Sequence, residues 1–148
     1  MQIRKDRKKD RKLKVAIRDY SECNEIFWGI ESFNHSLEEE GFWNADKYWK
    51  LEYFLIKLCQ SLEGDEFLHR NLAANLHYLS SNINNLIESH KDSSDFYNIK
   101  DIDEDKVDYC RDRLNHIMRI LWGRILFNSH DYMITSNPLI QKELNLSK

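Results

Sequence analysis

Arg111, Asp112 and His116 stand together in "YCRDRLNHIMRILWGRI", residues 109–125, a stretch whose apolar residues recur at helical spacing. A histidine exchanges its proton near neutral pH, and a guanidinium stabilises negative charge developing beside it, so the trio could carry acid–base chemistry. The competing reading is three polar residues on the wet side of a core helix, flanking a Val107/Leu114/Leu121 stripe. Composition bears on the choice. With nine Arg and six His in 148 residues, an Arg followed five to seven positions later by a His is expected about once by chance. The chain has three such pairs, Arg111–His116, Arg70–His77 and Arg124–His130. Residues five apart lie well around the helix from each other, so Arg111 would have to reach sideways to join His116.

Other chemistry is sparser. Glu66-x-x-His69 has the spacing used in di-iron bundles, but those need a second copy and further inward carboxylates, and the sequence holds no second copy. Cys110 and His116 lack the CxxC or HExxH context of a zinc site, and the three cysteines, Cys23, Cys59 and Cys110, read as small buried hydrophobes. Four scattered glycines cannot build a phosphate-cradling loop, and no P-loop, G-x-G-x-x-G or G-x-S-x-G occurs. Neither a metal nor a cofactor is expected.

The elements that must position these residues follow from apolar periodicity. Ile26, Phe27, Ile30 and Phe33 predict a helix near 21–39, with Ser21 as N-cap and Gly41 past its end. Asn44 caps a second helix that carries Trp49, Leu51, Phe54, Leu55, Leu58 and Leu62 and stops at Gly64. Asp65 is expected to cap a third, with Leu72, Leu76, Leu79, Ile83 and Leu86 as an almost heptad-like seam. Residues 91–102 read as the main loop. An Asp101 to Glu104 capping box introduces the last long helix, whose Val107, Cys110, Leu114, Ile117, Leu121 and Ile125 share a face. Pro138 opens a short helix ending near Leu146.

One proline and four glycines leave too few turns for a many-stranded fold, so the fold class predicted is all-α, a bundle of four to six helices in a single domain over 15–148. The longest apolar runs fall far below the ~18 residues that span a bilayer, so no membrane role is expected. An odd cysteine count, without an apolar leader, points to the cytosol. The net charge of −3 conceals a division: residues 1–14 hold eight Lys and Arg against two Asp, a balance of +6, leaving −9 on the rest. This basic N-terminal arm could track phosphates or sit as a solvated tail, whereas an acidic body is a poor surface for nucleic acid and suits a basic protein partner.

Two acidic clusters stand out, Glu38-Glu39-Glu40 and Asp101, Asp103, Glu104, Asp105 with Asp108. The first lies at a helix C-terminus, where the macrodipole makes acid unfavourable; the second lies at a helix start, where the dipole alone explains it. Among four tryptophans, Trp43 beside Gly41 is expected to be the exposed one, and with Phe96 and Tyr97 it would supply apolar anchors for an interface with an acidic rim.

Two family resemblances follow. "NEIFWGIESFNHSLEEEGFW", together with the chain's size, acidity and aromatic content, resembles the small cytosolic immunity proteins that accompany bacterial polymorphic toxins, including those of contact-dependent growth inhibition systems. That resemblance implies a non-enzymatic protein that binds a cognate toxin domain, often a basic nuclease, and blocks its active site through Glu38, Glu39, Glu40, Trp43, Asp101, Asp103, Glu104 and Asp105. "RDRLNH", in turn, resembles the R-x4–6-H motif of HEPN-domain ribonucleases. The alternative it implies is metal-independent RNA cleavage at the 2′-hydroxyl by Arg111, Asp112 and His116 meeting their copies across a dimer.

Overall fold

Residues 20–146 are described in the computed structural model; the basic arm expected over 1–14 lies outside the described residues. The fold is all-α. Its helices are α1 (Tyr20–Trp28), α2 (Phe33–Glu39), α3 (Ala45–Ser61), α4 (Arg70–Lys91), α5 (Glu104–Leu121), the single turn α6 (Tyr132–Thr135) and α7 (Pro138–Leu146). Among the described residues there is no strand, only an isolated parallel bridge between Phe42 and Lys100.

The bundle is assembled around α3, α4 and α5. α5 packs on α3 and α4, α2 closes one side against α3 and α4, and α7 lies along α3. The core is the meeting of the predicted seams, Leu51, Leu55 and Leu58 from α3, Leu72, Leu76, Leu79 and Ile83 from α4, and Val107, Leu114 and Ile117 from α5, joined by Cys59, while Trp49, Phe54 and Leu62 of the α3 seam are only partly buried. Each large aliphatic side chain so buried contributes about 1.5–3 kcal/mol. No helix among the described residues is long and apolar enough to cross a membrane.

Local chemistry sets the helix ends. Asn44 Oδ1 accepts the Lys47 N–H at 3.0 Å and starts α3, as predicted. The helix expected over 21–39 is instead broken at Gly29–Ser32, because Ser32 is itself an N-cap whose hydroxyl accepts the His35 N–H at 3.1 Å. Two further expectations are corrected. α4 begins at Arg70 with His69, not Asp65, as its cap. α5 is capped by Asp103, whose carboxylate accepts the Lys106 N–H at 2.9 Å, while Asp101 sits two residues earlier in a left-handed conformation at φ 65°. On the α4 seam the fully buried residue is Ile87, with its neighbour Leu86 only partly covered.

Candidate functional site

The two acidic clusters, some sixty positions apart in sequence, are joined by the backbone. Gly41 at φ 62° turns the chain sharply after α2, a conformation that favours glycine. The Lys100 N–H then donates to the Gly41 carbonyl at 2.8 Å, and the Trp43 N–H donates to the Lys100 carbonyl at 3.0 Å. This pairing sets Glu38–Glu40 beside the approach to α5. Tyr97 reinforces it, its hydroxyl donating to the Leu37 carbonyl at 2.5 Å. Burial and the nearby Glu38 carboxylate push that phenol up to about 12.

The loop between α4 and α5 is held by its own polar groups. Asp92 accepts from the Ser94 hydroxyl at 2.7 Å and the Ser94 N–H at 2.9 Å, which hold its carboxyl below the ordinary range, and Asp95 accepts the Tyr97 N–H at 2.9 Å. His90 Nδ1 accepts the Ile99 N–H at 2.9 Å, so the ring proton resides on Nε2 and faces Glu104 Oε1 at 2.7 Å. Phe96 projects from this braced loop fully exposed.

The predicted interface residues separate on inspection. Glu39, Glu40, Asp101 and Asp105 are exposed and enter no salt bridge among the described residues. Glu38 accepts weakly from Asn34 and Asn82 at 3.3 and 3.4 Å. Asp103 is occupied as the α5 cap, and Glu104 pairs with His90 and with Lys91 at 3.4 Å, contacts that lower its pKa. Trp43 is not the exposed anchor expected of it. It is 5 % exposed, stacked on Tyr48 at 5.3 Å between centroids and edge-on to Phe33 at 4.8 Å, because the Lys100 bridge draws residue 43 inward. Phe96 holds the exposed position.

Arg111, Asp112 and His116 are not brought together. The Arg111 guanidinium bonds to Glu88 on α4 and lies 3.9 Å from Asp108, and Asp112 is exposed. His116 Nε2 meets Asp131 Oδ2 at 2.5 Å, in the loop that leads to α6, where Asp131 Oδ1 also accepts the Met133 N–H at 3.1 Å. Arg111 and His116 therefore face different carboxylates.

Between Arg111 and His116 lies the residue the motif passes over. Arg113 is fully buried, as is Glu52 on α3. Its Nε and Nη2 donate to the two Glu52 oxygens at 3.1 and 2.5 Å, Nη1 donates to the Tyr109 and Ser136 hydroxyls at 3.1 and 2.5 Å, and Nη2 also donates to the Met133 carbonyl at 2.7 Å. All five guanidinium protons are thus used. Tyr48 and Asn137 complete the carboxylate's shell at 2.8 and 3.3 Å, and Trp49 lies 5.1 Å under the guanidinium. A site so fully satisfied clamps α3, α5 and the α6–α7 segment together and leaves no open position for a substrate.

The signal was present in the pattern. Arg113 falls in phase with Cys110 and Ile117, and Glu52 in phase with Tyr48 and Ile56, so opposite charges sit on the buried faces of two helices. Burial pushes the thiols of Cys59 and Cys110 up to about 12, the Glu52 charge adding to the effect at Cys110, a direction that disfavours the thiolate a nucleophile needs. Among the described residues no three His, Cys, Asp or Glu side chains converge as metal ligands would.

No family model matches this chain, and no match was found among curated proteins or solved structures.

Proposed function

We propose that this chain is an immunity-type protein of the cytoplasm, which binds a basic toxin domain of the nuclease class through the acidic face around Phe96 and so blocks that domain's active site. The observation that carries the reading is the Gly41–Trp43 pairing with Lys100, which ties the segment of Glu39 and Glu40 to the segment that carries the exposed Phe96 and leads to Asp101 and Asp105. Carboxylates that enter no salt bridge among the described residues steer a basic protein and would stand where its substrate phosphates bind; Phe96 supplies an apolar anchor that fixes register. The buried thiols of Cys59 and Cys110 suit a reducing compartment.

The test is capture from the source cell with the intact chain as bait, beside a Glu39→Lys/Glu40→Lys/Asp105→Lys variant. The expected result is one stoichiometric basic partner, released by salt and lost with the charge-reversed bait while helicity is unchanged. Equal retention by both baits would overturn the reading.

The second reading is the HEPN-like ribonuclease. It rests on the His116–Asp131 contact, a carboxylate-oriented imidazole of the kind acid–base catalysis uses. Against it stands the engagement of Arg111 by Glu88. RNA cleavage by the wild-type chain, abolished in His116→Ala, would establish this reading in place of the first.

A further inference from the structure

We propose that this chain pairs with a second copy of itself, through the groove between the α3–α4 turn and the turn that follows α5. The groove encloses about 460 Å3 between residues 62–68 and 120–127, and none of the carboxylates of the acidic face lines it. Phe67 and Leu126, 84 % and 90 % exposed, rise from opposite lips, and Trp122 is exposed beside them. Single exposed apolar side chains are ordinary, but three around one groove form a patch of the sort that marks an interface.

Charge identifies the occupant. The α3–α4 lip carries exposed Glu63 and Glu66; bordering the other lip, outside the groove lining itself, are exposed Arg119 in the last turn of α5 and exposed Arg124 in the turn after it. Gly123 at φ 74° makes this second lip, since it lets the Arg124 N–H bond back to the Arg119 carbonyl at 2.8 Å and turns the chain out of α5. None of these four charged side chains enters a salt bridge among the described residues. A uniformly basic or uniformly acidic partner would match one lip and be repelled by the other. A second copy turned about a two-fold axis matches both: its basic lip meets the acidic lip, its acidic lip meets the basic one, and Phe67 and Leu126 of each copy enter the other's groove.

Such an interface makes each contact twice, which provides a sharp test by analytical ultracentrifugation of the full chain. Wild type is expected to sediment as a dimer at micromolar concentration. Glu66→Arg and Arg124→Glu, each alone, place like charges together at both contacts and are expected to weaken association by about tenfold or more. Mixing these two variants is expected to restore the dimer, because in the mixed pair each of the two contacts between positions 66 and 124 again joins a carboxylate to a guanidinium. A monomeric wild type, a dimer indifferent to either reversal, or variants that remain monomeric when mixed would overturn the proposal.

Discussion

At the scale of single residues, the buried Arg113–Glu52 pair governs the energetics of the core. Removing one partner leaves the other charge buried without compensation, which costs about 3–5 kcal/mol, whereas replacing both with apolar residues of similar volume is often nearly neutral. Arg113→Met and Glu52→Leu are therefore each expected to lower the urea midpoint sharply, with the double variant recovering much of the loss. Additive effects in that cycle would show that the two residues do not act as a unit. The thiols give a pH dependence of definite sign. Cys59 and Cys110 ionise near 9 when solvated and near 12 when folded, so their contribution to stability is complete below pH 9 and is lost as pH rises towards 12. Thermal melts are expected to show a falling midpoint across that window, and iodoacetamide is expected to leave both thiols of the folded chain unmodified at pH 8; rapid labelling would contradict their burial.

At the scale of elements, the ends of the helices carry the site. Asp103→Ala removes the α5 cap and is expected to cost about 1 kcal/mol, read as a shift in denaturant midpoint, while Asp101→Ala leaves that cap intact. The interiors of α3, α4 and α5 and the Pro138 start of α7 were legible because apolar spacing and a fixed proline φ are local signals. The break at Gly29–Ser32 was not, since Ile30 and Phe33 extend the apolar period straight through it although Ile30 is exposed. Nor was the start of α4: Asp65 offers a cap by type, but residues 62–68 form the groove lip before the helix begins. Trp43 was misplaced for a different reason. Its burial depends on the pairing of Gly41 and Trp43 with Lys100, a contact between distant segments that no local pattern announces.

At the scale of the whole molecule, charge is what separates the two proposed partners. None of the carboxylates of the proposed acidic face lines the groove, so capture of a basic partner and pairing of two copies are expected to respond to different substitutions. Phe96→Ala is expected to weaken partner binding by about tenfold or more without changing the sedimentation of the free chain. Because surface charges act across about 8–10 Å at physiological salt, binding is also expected to slow as ionic strength rises. The most direct measurement is a titration of the captured partner's nuclease activity with the purified chain, wild type beside Glu39→Lys/Glu40→Lys. The expected result is loss of nuclease activity at one equivalent of wild type and its persistence with the reversed variant; a nuclease undiminished by wild type, or equally inhibited by both, would contradict the assignment of the acidic face as the inhibitory surface.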